Sequence, residues 1–250
     1  MNQAFKWPAF GVLAAMAITT AMDATGLSAF SALPLAALFG LFWSLQRFSR
    51  KEIGFVWARI GHFGLALLHP LLVLGLAAGI AFIAGAINLE YTDWPKAWRN
   101  LALIAVSTIL VATVTEEGFF RGWLWASLKR TGQDARRVVV WSSLAFGAWH
   151  LSAVLLETGF NPPLAQVPVF IINAVLLGAI WGMLRLISGS VFVASVAHGV
   201  WNGIDYAFFG FGKEVGALGI QQTSIYGPEI GVVGLVLNLV FAAVLWQRLK

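Results

Sequence analysis

Long apolar stretches follow one another along this chain, and few charges separate them. Hydrophobic residues make up 59% of the 250 residues and charged residues only 11%, so the chain cannot cover a water-soluble surface with an ordinary density of charge. An α-helix crosses the hydrocarbon core of a bilayer with about 20 apolar residues. The sequence therefore predicts an all-α, polytopic membrane bundle that folds as a single domain over residues 1–250.

Apolar runs bounded by charged or turn-forming residues predict about eight transmembrane helices. The break at residues 23–26 is so short that the first two runs are also compatible with a re-entrant hairpin. Tryptophans near the ends of these runs are expected in the headgroup region, which favours amphipathic rings: Trp94, Trp98, Trp123, Trp125, Trp141 and Trp246. The predicted spans are residues 8–24, 26–46, 63–88, 101–128, 138–156, 164–187, 190–211 and 228–247.

Most Lys and Arg residues lie in alternate connections between these spans, a distribution that marks the cytoplasmic side of a membrane protein. It predicts a multi-pass protein of the cell membrane with both termini in the cytoplasm. The formal net charge of +5 is not gathered into dense basic patches, so no nucleic-acid partner is expected. The chain has no cysteine, which excludes thiolate zinc sites and a cysteine nucleophile.

Ionisable side chains inside a membrane helix are costly, and each one is a candidate for function. The fourth span contains Glu116, Glu117 and Arg121 in the segment TEEGFFRG. Glu117 and Arg121 are four residues apart with the glutamate first, which is the favourable order for an ion pair on a helix. Glu116 remains unpaired and is a candidate general base. A solvated helix end is the alternative interpretation of this segment.

Two further spans carry polar residues at helical spacing. Phe146 and His150 share a face of the fifth span in FGAWH, and His198 and Asn202 share a face of the seventh in HGVWN, with Asp205 three residues further on. A lone histidine is more often a packing residue, and paired polar residues also serve as interhelical contacts. His150 and His198 nevertheless join the candidate site because of their depth, and Asn202 joins it because it shares a helix face with His198.

Glu116, His150 and His198 are each thirteen residues from a basic residue at the predicted cytoplasmic boundary: Lys129, Arg137 and Arg185, respectively. At 1.5 Å per residue, all three are expected roughly 20 Å from that boundary. A common depth predicts that the fourth, fifth and seventh spans face one another around one site.

The three motifs together resemble the signature of the CaaX prenyl endopeptidases and their bacterial relatives, the CPBP family of intramembrane glutamic proteases. The motifs are Glu116-Glu117-x-x-x-Arg121, Phe146-x-x-x-His150 and His198-x-x-x-Asn202, in that order. The resemblance covers about residues 101–210, the expected catalytic core.

The resemblance implies hydrolysis of a peptide bond by water, without a covalent intermediate, a metal or another cofactor. Glu116 and His150 would activate the water, His198 and Asn202 would stabilise the oxyanion, and Glu117 with Arg121 would order the site. The implied partners are the lipid bilayer and a membrane-associated protein or peptide, whether lipidated or not.

Two other functions are compatible with the sequence. The Glu and His residues of the candidate site could bind a metal, although no HExxH motif is present. Alternatively, the chain is a non-enzymatic membrane protein, either a transporter or an immunity or scaffold protein, in which the polar cluster is a binding site or proton path.

Overall fold

A computed structural model describes residues 5–90 and 92–249. The first half contains α1 (Lys6–Ala24), α2 (Leu33–Gln46), α3 (Arg50–Ile53), α4 (Ile60–Ile83) and α5 (Trp94–Val114). A π-helix (Glu117–Leu124) follows, then α6 (Trp125–Arg130), α7 (Ala135–Trp149) and α8 (Leu151–Leu155). The second half contains α9 (Val167–Ser188), α10 (Val191–Ile204) and a second π-helix (Asp205–Phe209). A short hairpin, β1 (Gly210–Phe211) and β2 (Glu214–Val215), precedes α11 (Thr223–Tyr226) and α12 (Val232–Gln247).

The architecture is the predicted all-α polytopic bundle. Six helical segments of the described chain are long and apolar enough to cross a membrane, at residues 6–24, 28–46, 60–83, 94–130, 135–155 and 164–188. The predicted seventh and eighth spans contain the shorter helices α10 and α12, of 14 and 16 residues. The predicted count of eight is therefore not confirmed.

Local capping interactions start the helices that carry the candidate site. Asp93 accepts a hydrogen bond from the backbone of Lys96 at the start of α5, and Asp134 accepts one from Arg137 at the start of α7. The Ser190 hydroxyl accepts one from the backbone N–H of Phe192 before α10. Each of these side chains satisfies a backbone donor that has no partner within its helix.

The outside of the bundle is apolar and the inside contains the polar side chains. Leu68, Leu72 and Phe82 on α4 are between 44% and 71% exposed, as expected of side chains that contact lipid. Glu117 and Arg121, in contrast, are fully buried. This distribution is the reverse of that in a water-soluble protein, and it places the polar candidates in the interior of the bundle.

Glycines let α10 approach α5 closely, and these two helices form an extensive interface. A Cβ atom on Gly199 would lie 2.7 Å from the carbonyl oxygen of Ala105, and one on Gly203 would lie 2.9 Å from the carbonyl oxygen of Leu101. Small residues commonly bring membrane helices together in this way. The interface sets α10, which carries His198 and Asn202, against the middle of α5.

Two of the tryptophans predicted at the membrane surface are buried instead. Trp123 is 0% and Trp125 3% exposed, and the Trp123 ring stacks on Phe42 of α2 at a centroid distance of 4.5 Å. Both rings pack inside the bundle, where the fourth span is not a uniform α-helix. Its π-helical turn lies wholly in the interior, whereas Trp98 and Trp141 are more than half exposed.

Candidate active site

Glu116, His150, His198 and Asn202 line one internal cavity of about 160 Å³. They come from three parts of the bundle, namely the residue before the first π-helix, the end of α7, and α10. The sequence predicted that these parts face one another, and the cavity brings all four side chains to a common space. The rest of the wall is largely aromatic, formed by Phe146, Phe160, Phe170, Trp181, Tyr206 and Phe211.

The neighbouring residues Glu116 and Glu117, at the start of the first π-helix, have different surroundings. Glu116 is half-buried and lines the cavity, whereas Glu117 is fully buried and points to other partners. Its carboxylate oxygen Oε1 lies 3.2 Å from Arg121 Nη1 and 3.1 Å from His198 Nδ1. Single π-turns occur often at functional sites, where the extra residue per turn changes the direction of side chains. Here adjacent glutamates have different environments, as their spacing from Arg121 predicted.

Arg121 is enclosed by Glu117 and by aromatic rings. Its guanidinium carbon lies 4.1 Å from the centroid of the Phe146 ring and 5.6 Å from that of Trp181. The Nη1–Glu117 distance is that of an ion pair, but none of the Arg121 nitrogens has hydrogen-bond geometry toward an acceptor in the described chain. Charge attraction and the faces of the rings therefore hold this cation in the interior.

His150 is held by a backbone carbonyl. Its Nδ1 lies 2.8 Å from the carbonyl oxygen of Phe146, one helical turn earlier, so Nδ1 carries the hydrogen and donates it. In the neutral ring, Nε2 is then an acceptor. The edge of the ring packs against Phe146 at a centroid distance of 4.5 Å. This arrangement fixes the ring of His150, which lines the same cavity as Glu116.

His198 is fixed on two sides. Nδ1 donates a hydrogen bond to Glu117, because that carboxylate also faces Arg121 and is an acceptor. The imidazole stacks on the indole of Trp181 with a centroid distance of 4.1 Å and an angle of 16°. Asn202 lies one turn further along α10 and is half-buried at the cavity. The Asn202 amide can donate a hydrogen bond to a group bound in the cavity, and so can His198 Nε2 when both ring nitrogens carry a hydrogen.

A third glutamate was not identified from the sequence. Glu229 lies in the segment between α11 and α12, and it lines the same cavity. We predicted a helix from residue 228, but α12 begins at Val232, so Glu229 belongs to a connection that turns back into the bundle. None of the three sequence motifs includes Glu229. In the sequence it is a single carboxylate next to an apolar run, which by itself does not indicate a site.

Asp205 does not line the cavity that contains Glu116, His150, His198 and Asn202. Asp205 is 3% exposed and lines an adjoining cavity of about 270 Å³, which shares Phe160, Phe211 and Glu229 with the first one. Among residues 5–90 and 92–249, no three His, Asp or Glu side chains are arranged so that they could hold one metal ion.

Comparison with known proteins agrees with the motifs. Residues 98–204 match the family model described as Rce1-like, type II CAAX prenyl endopeptidase. The matched region contains all six predicted site residues. It covers less than half of the chain. It ends before Asp205 and Glu229. A comparison with curated proteins finds no matching sequence.

Proposed function

We propose that this chain, a member of the CPBP family of CAAX-type intramembrane proteases, hydrolyses peptide bonds of membrane-associated proteins or peptides with a water molecule that Glu116 activates. Endoproteolysis at a membrane is the activity of the matched family; the role of Glu116 is our proposal. One observation carries it. The four motif side chains that such a reaction needs line a single cavity.

Glu116 and His150 form the proposed water-activating pair. The Glu116 carboxylate accepts a proton as the water oxygen attacks the carbonyl carbon of the substrate. His150 accepts a hydrogen bond from the same water through Nε2, since its Nδ1–H is donated to Phe146. A positioned general base typically contributes a factor of about 10² to 10⁴ to the rate.

His198 and Asn202 form the proposed oxyanion site. The carbon–oxygen bond that forms converts the substrate carbonyl into a tetrahedral oxyanion, and the Asn202 amide donates to it. The proposed form of His198 is the imidazolium, whose Nδ1–H is donated to Glu117 and whose Nε2–H is donated to the oxyanion. Loss of one such donor typically costs about 10²-fold or more in turnover.

The intermediate then collapses without a covalent enzyme adduct. The carbon–nitrogen bond breaks, and Glu116 gives the proton that it took from water to the departing amine. This transfer leaves a carboxyl product, an amine product and the original Glu116 carboxylate. Glu117 and Arg121 hold His198 in place throughout. We further propose that residues 101–210 are the catalytic core and that both termini face the cytoplasm of a multi-pass cell-membrane protein.

The test uses purified protein in lipid vesicles and fluorogenic peptides with a hydrophobic anchor, each made with and without an S-farnesyl cysteine. Glu116→Gln and Asn202→Ala should each lower the cleavage rate by about 100-fold or more. Glu157→Gln, a change at an exposed glutamate outside the cavity, is the matched control and should cleave normally. Undiminished cleavage by Glu116→Gln would refute the proposed chemistry.

A further inference from the structure

Glu229 is a cavity carboxylate that the proposed mechanism does not use. Its Oε1 accepts a hydrogen bond of 3.1 Å from the indole Nε1 of Trp201 on α10. No other hydrogen bond or ion pair to this carboxylate is found among residues 5–90 and 92–249. The Glu229 side chain is half-buried, and taking a carboxylate partly out of water with one neutral donor and no cation bonded to it costs free energy. The arrangement is therefore one that a cationic group in the cavity would complete.

Buried amides hold the backbone that presents Glu229. The Asn173 side chain on α9 donates hydrogen bonds to the carbonyl oxygens of Pro228, at 2.6 Å, and of Glu229, at 3.2 Å. Asn238 on α12 donates in turn to Asn173 Oδ1 at 2.9 Å. Both asparagines are fully buried. Hydrogen bonds of this kind restrict a local conformation, so the backbone at Glu229 has a defined position.

The same network returns to the Glu229 carboxylate through a histidine. His69 Nε2 on α4 donates to Asn238 Oδ1 at 3.0 Å, and the His69 ring stacks on Trp201 with a centroid distance of 5.0 Å and an angle of 6°. Trp201 is the donor to Glu229. Four buried side chains from four helices thus support the Glu229 carboxylate, namely Asn173, Asn238, His69 and Trp201. A connecting segment does not need such a hydrogen-bond network in order to pack.

The charge around Glu229 is negative. Glu116 and Glu229 both line the first cavity, and no Lys or Arg of the described chain does so. His198, proposed as the imidazolium, also lines it, but its charge already faces Glu117. Arg121, the buried cation nearby, already faces Glu117. The aromatic walls of the cavity add favourable faces for a cation. A substrate with a positive side chain is stabilised in such a space, and one with a negative side chain is repelled.

The adjoining cavity provides room for that side chain. Its 270 Å³ corresponds to about nine water molecules at roughly 30 Å³ each, more than the five heavy atoms of a lysine side chain displace. Asp205, Glu214 and Glu229 line it, against the single cation Lys213, which is exposed. Asp205 is buried and Glu229 is half-buried. Like charges of neighbouring carboxylates oppose each other, and a cation between these two relieves the repulsion.

We infer that Glu229 is a specificity-determining residue, which selects substrates with a Lys or Arg side chain near the scissile bond and disfavours acidic residues there. The basic side chain occupies the cavity between Asp205 and Glu229. This inference rests on the proposed function, because it assigns the peptide to the cavity that contains Glu116.

Equilibrium binding tests the inference separately from cleavage. The probes are fluorescent anchored peptides in which one Lys, norleucine or Glu is placed at each position in turn, bound to protein in detergent micelles. The background is Glu116→Gln, which removes the second carboxylate of the cavity. At one position, Lys should lower the Kd about 10-fold relative to norleucine, as a close charge pair does. Adding Glu229→Gln should weaken this preference, with Asp205 left as the remaining carboxylate, and should change the Kd of the norleucine peptide much less than that of the Lys peptide.

Trp201→Phe provides a second variant, since it removes the indole donor and keeps a ring against His69. It should weaken the preference for Lys without changing the Kd of the norleucine peptide. Equal binding of Lys and norleucine peptides at every position, or an unchanged preference in the Glu229→Gln protein, would overturn the inference. Failure of the proposed function would give a different result, which is undiminished cleavage by Glu116→Gln in the vesicle assay.

Discussion

The buried pair of Glu117 and Arg121 allows the interior of the bundle to be tested quantitatively. Both side chains are 0% exposed and lie 3.2 Å apart. Removal of one member of a buried ion pair typically costs about 3–5 kcal/mol, because the remaining charge has no partner. We therefore expect Arg121→Met to destabilise the protein by this amount, as it leaves the Glu117 carboxylate with only His198 as a partner.

The double variant Glu117→Gln with Arg121→Met separates the charge effect from packing. Glutamine keeps an acceptor for His198, and methionine fills the space against the Phe146 ring, where the guanidinium carbon lies 4.1 Å from the centroid. No buried carboxylate then remains without its Arg121 partner, and a neutral His198 can still donate its Nδ1–H to the glutamine, so the double variant should lose less free energy of unfolding than Arg121→Met alone. Such non-additivity is expected of groups in direct contact.

Unfolding in mixed micelles, followed by circular dichroism, measures these differences. Arg130→Met is the control, since Arg130 pairs with Glu52 at 3.0 Å but both side chains are more than two fifths exposed. Exposed pairs contribute about 0–1 kcal/mol, and the control should change stability by no more than that. A loss below about 1 kcal/mol for Arg121→Met would refute the description of this pair as a buried charge pair.

Two further predictions concern the helix interface and the first connection. Gly199→Ala should lower the free energy of unfolding by about 1–3 kcal/mol, because the added methyl group meets the carbonyl oxygen of Ala105. The control is Gly79→Ala, which adds a methyl group in open space and should be neutral or slightly stabilising. A hydrogen bond from the backbone N–H of Ser49 lowers the pKa of the Glu52 carboxyl below its ordinary value of 4.5. The ionised form stabilises the fold above that value, so Glu52→Gln should lower the thermal midpoint at about pH 7, and the difference should disappear as the pH falls to about 3. A difference that persists at the acid end would contradict this role.

The candidate site was predictable because its residues are polar side chains in apolar helices. Glu116, His150, His198 and Asn202 stand out for this reason, and helical spacing places Phe146 beside His150 and Glu117 beside Arg121. Each of these local relations depends only on positions three or four apart. The structure contains both contacts.

The remaining features depend on long-range packing. The π-helix at residues 117–124 has no spacing signal of its own, and its effect on Trp123 and Trp125 follows from contacts with α2. Glu229 reaches the cavity because Asn173 holds its backbone from another helix, more than fifty residues earlier in the chain. A pattern within one segment cannot indicate such a contact.

The origin of the oxygen in the product tests the central claim most directly. Purified protein in vesicles is allowed a single turnover of an anchored peptide in water enriched in heavy oxygen, and product and enzyme are analysed by mass spectrometry. Activation of water by Glu116 predicts label in the new carboxyl terminus of the peptide and none in the Glu116 carboxylate. Label in Glu116 would mean that this side chain attacks the substrate itself, and would contradict the mechanism.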